Sequence, residues 1–468
     1  VCNQTFHWKD AMHSTSFTRR AAGLCALALS LRLGAETLTW DQARAEALQA
    51  NPALSASQHS RQAADAALSV SDASFWPQLS LNGGLSRRGS QGLSSDDAGS
   101  RVVGTPLGLG YGQGAEADSS SYSLGLAATY TLFDGFGDFY ARQQSAHSLE
   151  GKQAAYRQAS YGLRSSLRQA FNQVLYDQQN IKMLNEIMTL LVQETRYLNL
   201  EYQSGQQPRW AYLQAKSDEE QTRWQLNQAM LSQASDRRNL ADQLGRTEDS
   251  GDSLAVSGEL KPPAPPSDFS LDLERLNGHP DLLAQQAAAD AAESAYMASV
   301  ASRYPTLSAN AGYTYSGGTS TTAGVGAWPP NQSLWTVGLT ASYNLFAGGG
   351  QEAAISQAEQ AWKSQQDTLR DEKASLRTAL QQAWTSYRSA FDRMPVQDLA
   401  MQVGQQRFET VNRLFEAGQA QYLDFEQAET NLIQSQENQL SAVLSAAQAS
   451  VAYQKALGLG FEDEGGKQ

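Results

Sequence analysis

Acid–base, metal and phosphate chemistry announce themselves through histidine, cysteine and glycine-rich motifs, and this chain has few of them. His59, His147 and His279 lie far apart and share no metal-ligand spacing. Both cysteines, Cys2 and Cys25, fall within the first 35 residues, so the remainder has no thiol for attack, metal binding or a disulfide. Gly348-Gly349-Gly350 lacks the Lys-Ser/Thr that completes a phosphate-binding loop, and it reads as a strand-to-helix turn. These spacings predict no catalytic centre, metal or cofactor. Function must then lie in the elements themselves.

Residues 1–35 read as a targeting segment. Arg19 and Arg20 precede the apolar run Ala21 to Leu31, and Leu33-Gly34-Ala35 offers a small-residue cleavage site. Leu24 before Cys25 is bulky where a lipidation signal takes a small residue. Loss of this segment removes Lys9, Arg19, Arg20, Arg32 and Asp10 and takes the net charge from -13 to about -16, a balance that repels nucleic acid. Mean hydropathy is -0.47, and no apolar stretch reaches the roughly 18 residues of a membrane-spanning helix. A membrane crossing by this chain requires strands.

The chain reads twice. Asn51-Pro52-Ala53-Leu54 answers to His279-Pro280-Asp281-Leu282, and Trp76-Pro77-Gln78-Leu79 to Tyr304-Pro305-Thr306-Leu307, at an offset of 228. From Gly125 onward the offset is 213, pairing Tyr130 to Phe133 with Tyr343 to Phe346, Gly205 with Gly418 and Gly245 with Gly458. The extra 15 residues of the first copy fall in a Gly- and Ser-rich stretch between Gly84 and Gly125, as in an exposed loop. Residues 36–245 and 271–458 are therefore two copies of one unit, each reading helix, strand, loop, strand, long helix, turn, helix. Residues 246–270, with Pro262-Pro263-Ala264-Pro265-Pro266, form a stiff connector, and 459–468 a tail.

Four segments keep a strict period of two. Leu79, Leu81, Gly83 and Leu85 alternate with small polar residues, and Tyr122, Leu124, Leu126, Ala128, Tyr130 and Leu132 alternate with Ser123, Gly125, Ala127, Thr129 and Thr131. The second copy repeats this with Leu307, Ala309, Ala311, Tyr313 and Tyr315, then Trp335, Val337, Leu339, Ala341, Tyr343 and Leu345. Their lengths suit tilted membrane strands, with Tyr or Trp near the ends as in interface girdles. Four strands cannot close a barrel, and lipid tolerates no open sheet edge. Three chains would supply twelve strands and leave an aqueous lumen.

Between Phe136 and Tyr202 there is no proline, which predicts a helical rod on the order of 100 Å long. Ile181, Leu184, Met188, Leu191, Thr195, Leu198 and Tyr202 form a coiled-coil seam against a returning helix from about Trp210 to Leu244. The second copy places Met394, Met401, Phe408, Val411 and Phe415 in the equivalent seam. Pro395 predicts a kink there, and Gly404 a thinner seam.

Strands and long helices in this order, duplicated behind a targeting segment, resemble the TolC family of outer-membrane efflux and secretion channels. The motifs are Asn51-Pro52, Trp76-Pro77-Gln78-Leu79, Tyr130 to Gly135, Tyr343 to Gly348, and the turn glycines Gly205 and Gly418. The resemblance implies a mixed α and β fold: an outer-membrane β-barrel with four strands per chain and twelve in a homotrimer, continued by a coiled-coil tunnel through the periplasm. It also implies a passive, non-enzymatic channel partnered by a periplasmic adaptor and an inner-membrane pump or ABC transporter. Tyr122, Tyr130, Tyr313, Tyr315, Trp335 and Tyr343 would then face lipid, and Gly205, Pro208, Trp210, Gly418 and Tyr422 would form the helix tips that meet the adaptor.

In that family acidic residues six and nine positions after the second turn glycine ring the closed periplasmic mouth. Those positions hold Asp424 and Gln427, with Glu426 and Glu429 close by. The family's latch, an Asp after the first turn glycine and an Arg after the second, falls on Ala211 and Ala420. The resemblance thus carries the gate position but not the latch. A flagellin-like filament subunit and a periplasmic adaptor are the competing readings. The first would have no aromatic-flanked lipid strands, and the second a single helical hairpin without duplication.

Overall fold

A computed structural model of the chain describes residues 36–92, 115–246, 254–322, 325–327 and 331–460. The expected targeting segment, most of the Gly- and Ser-rich loop and nearly all of the C-terminal tail lie outside them. The first half contains β1 (Glu36–Leu38), α1 (Trp40–Ala50), α2 (Pro52–Asp72), β2 (Gln78–Gly92), β3 (Ala115–Phe133), α3 (Gly137–Gln203) and α4 (Arg209–Leu244). The second contains β4 (Leu254–Val256), α5 (Phe269–Arg275), α6 (Pro280–Ala301), β5 (Thr306–Thr322), β6 (Val325–Ala327), β7 (Gln332–Ser342), α7 (Gly350–Glu416) and α8 (Tyr422–Ala456).

The duplication extends to hydrogen bonds. Asn51 caps α2 by accepting from Ala53 N–H at 3.0 Å and Leu54 N–H at 3.1 Å, ahead of Pro52 in the first turn. His279 caps α6 in the same backbone conformation, its Nδ1 accepting from Asp281 N–H at 3.3 Å ahead of Pro280. The strand-to-helix turns correspond too: Gly135 and Phe136 have φ of 75° and 69°, Gly348 and Gly349 of 63° and 80°. Phe136 is the one described non-glycine residue in that left-handed region, and the second copy puts glycine there.

The chain divides into two compact units, each drawing on both sequence copies. One comprises Leu48–Arg168, Pro262–Gln402 and Ser445–Gln468 and contains the large sheet. Its strands run antiparallel in the order β2-β3-β5-β7, with β6 on the end of β5. The register of β2 on β3, with Gln78 opposite Thr129, recurs in β5 on β7, with Thr306 opposite Ser342. Leu81, Leu126, Tyr313 and Trp335 line up across all four strands, as do Leu79, Ala128, Ala311 and Val337. The opposite face carries Ser80, Ala127, Gly312 and Thr336 in one row and Gln78, Thr129, Asn310 and Gly338 in another. A period of two in each strand thus becomes an apolar band on one face. β7 stops at Ser342, so Tyr343 and Leu345, expected on this strand, lie just beyond it. The partner strand begins at Thr306, immediately after Pro305, which has no N–H to extend the ladder.

The same unit packs Leu276, Leu380, Tyr387, Tyr453 and Leu457 into a core. The proline-rich connector is tied to it. Tyr387 donates to Ala264 C=O, Trp384 Nε1–H to Ser267 C=O at 3.0 Å, and the Ser267 and Tyr453 hydroxyls lie 3.1 Å apart.

The other unit comprises Val1–Ala47, Gln169–Lys261 and Val403–Leu444. Here β1 pairs in parallel with β4, two three-residue strands too short to leave a periodic signal in sequence. Arg246, just past α4, clasps Glu46 of α1, with Nη2 2.8 Å from Oε2. In the α3 seam Leu184, Leu191, Thr195 and Leu198 are buried as expected. Ile187 is buried in preference to its neighbour Met188, and Tyr202 is 39% exposed. Thr195 Oγ1 donates to Ala215 C=O at 3.2 Å, pinning α3 to α4. α7 runs unbroken through Pro395. The seam at Gly404 is tight where a thin one was expected: a Cβ there would lie 2.8 Å from Ser435 Oγ and 3.6 Å from Leu432 Cα, so the missing side chain lets α8 approach.

Candidate functional site

The two helix-hairpin turns lie in the helical unit and are built alike. Gly205 has φ 77°, its N–H bonds to Tyr202 C=O at 3.1 Å, and Gln206 N–H reaches Glu201 C=O at 2.9 Å. Gly418 has φ 69°, with Gly418 N–H on Phe415 C=O at 2.9 Å and Gln419 N–H on Leu414 C=O at 2.8 Å. These are paired Schellman caps, which satisfy the last carbonyls of α3 and α7 and require the left-handed residue that glycine supplies. Pro208 and Gln421 then precede α4 and α8.

Behind the turns Leu198, Ala211, Ala215, Tyr422 and Phe425 form a buried cluster against Tyr212, Phe408, Val411 and Phe415. Phe415 stacks on Phe425 at 5.0 Å between centroids, and Tyr422 lies 6.0 Å from Trp210. Tyr422 was expected on the contacting surface, but it is 4% exposed because its ring fills this cluster. Trp210 remains half exposed, at 54%. Ala211 is fully buried in the same cluster, so a charged latch at that position would have to sit in apolar surroundings.

The acidic residues of α8 separate onto different faces. Asp424 and Gln427, three residues apart, are both exposed. Asp424 Oδ2 also accepts from Gln421 N–H at 3.3 Å, closing the first turn of α8 as a capping carboxylate does. Glu426 is half-buried, and loss of solvent raises its carboxyl above the ordinary value, helped by Asp218. Glu429 is 8% exposed and faces Glu194 of α3. Burial first, then repulsion from Glu194, pushes the Glu429 carboxyl well above the usual range, and burial does the same for Glu194. No motif marks Glu194 or Asp218 in the sequence. The available signal was Glu194 beside Thr195 on the buried stripe of α3, where a carboxylate is out of place.

Deeper along the same helices, Asp177 of α3 is 4% exposed, and its carboxyl is raised by burial and by Asp236 of α4. Among the described residues no group of His, Cys, Asp and Glu has the arrangement of a metal site.

The second candidate surface is the apolar sheet face. Leu81 at 70%, Trp335 at 74% and Val337 at 75% are open in a single chain, and Tyr313 and Tyr315 are partly so. Tyr122 and Tyr130 are half-buried on this face, and Tyr343 is exposed beyond its end. Among the described residues β2 and β7 each have an unpaired edge. No described helix is long and apolar enough to cross a membrane.

A duplicated pair of long strands and a long helical hairpin, with an apolar sheet face, is the architecture of outer-membrane channels. The chain belongs to the outer membrane efflux protein family, whose pattern it matches over residues 43–246 and 274–459, one stretch in each sequence copy. Its fold is shared with VceC, an outer membrane protein from Vibrio cholerae, at a TM-score of 0.72 and 19% identity over 90% of this chain and 96% of that one. CusC superposes with a TM-score of 0.74 at 18% identity, covering 92% of this chain and 96% of the other. A membrane protein from Pseudomonas aeruginosa gives 0.73 at 18% identity, covering 89% and 93%. No curated protein matches the chain in sequence. Family membership replaces the filament-subunit and adaptor readings.

Proposed function

We propose that three copies of this chain close a twelve-stranded barrel in the outer membrane, and that their helices carry its lumen into the periplasm as a gated, passive export duct. The observation that carries this reading is the apolar band aligned across β2, β3, β5 and β7, on a sheet whose two edges are unpaired. Such a face belongs in lipid, and such edges are tolerated there only when another strand covers them. β2 of one copy on β7 of the next satisfies both conditions.

Energy comes from outside the chain. The exposed rim at the two turns, with Gly205, Pro208, Trp210 and Gly418, is the surface offered to a periplasmic adaptor and through it to an inner-membrane pump, in a tripartite efflux or type I secretion system. Asp424 and Gln427 of each copy line the mouth, where three carboxylates near one axis favour cations and repel anions. Its likeness to the outer-membrane channels OprN and CmeC supports this role.

The test is the mass and location of the native protein. Chain purified from the outer-membrane fraction in mild detergent should have the mass of three protomers and form ion-conducting pores in planar bilayers. A monomeric, non-conducting product, or fractionation with soluble protein, would overturn the reading.

A further inference from the structure

Of the polar atoms buried without a hydrogen-bond partner among the described residues of the helical unit, three belong to side chains that face each other: both carboxylate oxygens of Glu194 on α3 and the hydroxyl of Tyr422 on α8. Tyr422 is 4% exposed and Glu429, from the next turns of α8, 8%. Tyr422 and Glu429 both face the Glu194 carboxyl. Orphaned buried polar atoms are costly, and two ionised carboxylates facing each other out of water are more so. One proton resolves both. A protonated carboxyl donates to the other, and the Tyr422 hydroxyl donates to an oxygen left over.

We propose that Glu194, Glu429 and Tyr422 form a proton-operated clasp between α3 and α8: one shared proton holds the helices together behind the turns, and its loss drives them apart. The surroundings favour this over an ion pair. From α4 the facing group is Asp218, held by Gln214 Nε2 at 3.2 Å, and from α8 it is Glu426. Both add negative charge. Two of the α4 cations are engaged elsewhere, Lys216 with Glu219 at 3.0 Å and Arg223 with Glu219 at 2.7 Å and Glu220 at 2.9 Å. α7 contributes Phe408, Val411 and Phe415, which are apolar. Ionisation of the second carboxyl therefore meets no compensating charge from these neighbours, and separation of the helices, which admits water, is its relief. The clasp does not depend on the proposed mouth, although it would supply what Ala211 and Ala420 do not: a means of holding these hairpin ends closed.

The experiment uses full-length protein in detergent with Cys2 and Cys25 replaced by serine and spin labels on Leu190→Cys and Thr430→Cys, exposed positions of α3 and α8. The label distance should lengthen in one step as pH rises from about 5 to about 9. Infrared spectra at neutral pH should contain a protonated-carboxyl carbonyl band. In an Asp177→Asn background, which removes the other buried raised carboxyl, Glu429→Gln should lose both the step and the band, Glu194→Gln from the opposite helix should do the same, and Tyr422→Phe, which removes a donor to the carboxylate, should shift the step to higher pH. Absence of the band from the unsubstituted protein, or the same step in both glutamine variants, would overturn the clasp. Conductance recorded in parallel separates the two readings: a label step without a conductance step supports the clasp and counts against the gated mouth.

Discussion

Gly135 and Gly348 hold the same left-handed turn in the two sequence copies, but only Gly135 is enclosed. A Cβ on Gly135 would lie 2.5 Å from Ala301 C=O and 2.8 Å from Tyr304 Cβ, whereas one on Gly348 would meet nothing within 4 Å. Duplication preserved the backbone conformation while the packing around it diverged. Gly348→Ala should therefore cost only the left-handed strain, about 1 kcal/mol, and Gly135→Ala about 2–4 kcal/mol, because carbonyl and side chain must also shift. Thermal unfolding of the two variants in detergent checks the order. Equal losses would mean the enclosure relaxes freely.

Val337 and Thr336 are adjacent on β7 and point to opposite faces, Val337 into the apolar band and Thr336 into the polar rows. Arginine in the lipid-facing register of a barrel costs about 2–4 kcal/mol near the bilayer midplane, and little toward an aqueous lumen. Val337→Arg should sharply reduce the assembled, heat-resistant oligomer on gels, and Thr336→Arg should leave most of it. The reverse order would place the apolar face inside.

Asp424 has two separable roles, a capping bond to Gln421 N–H and a charge at the proposed mouth. Asparagine keeps an acceptor and removes the charge, whereas alanine removes both. Asp424→Asn and Asp424→Ala should lower cation preference equally in planar bilayers, and only the alanine variant should also lose stability, by about 0.5–1 kcal/mol. Unchanged selectivity in both would take Asp424 out of the conducting path.

Glu429 and Asp177 both have carboxyls raised in the folded state, first by burial and then by a neighbouring acid, Glu194 and Asp236 respectively. A carboxyl raised above its unfolded value of 4.5 or 3.8 contributes stability that is fully present below that value and is lost as pH rises through the folded one. The thermal midpoint should therefore fall from about pH 5 towards about pH 9. Glu429→Gln and Asp177→Asn should each flatten the decline. A midpoint that rises with pH would mean these carboxyls are ionised when folded.

Much of the architecture is legible in the sequence because its signals are local. The period of two in residues 79–85 and 122–132, the turn glycines Gly205 and Gly418, and the pairs Asn51-Pro52 and His279-Pro280 each act within a few residues, so repetition at offsets of 228 and 213 doubles the signal. Even here length matters. β1 and β4, three residues each, exist only because they meet, and β7 ended at the last residue with a partner rather than at the last apolar alternation.

The division among the acidic residues of α8 is a different kind of fact. Helical spacing puts Asp424 and Gln427 on one face and Glu426 and Glu429 on others, but whether a face meets water, Phe408 or Glu194 depends on which helices pack there. That packing buried Tyr422, expected at the surface, and set Glu429 against a carboxyl on α3 far away in the chain. Two copies of a strand pair and a helical hairpin are written in the residue order, since periodicity and turn glycines are properties of neighbours along the chain. Which charges leave water is set by helix packing, because desolvation belongs to the space between helices and not to either helix alone.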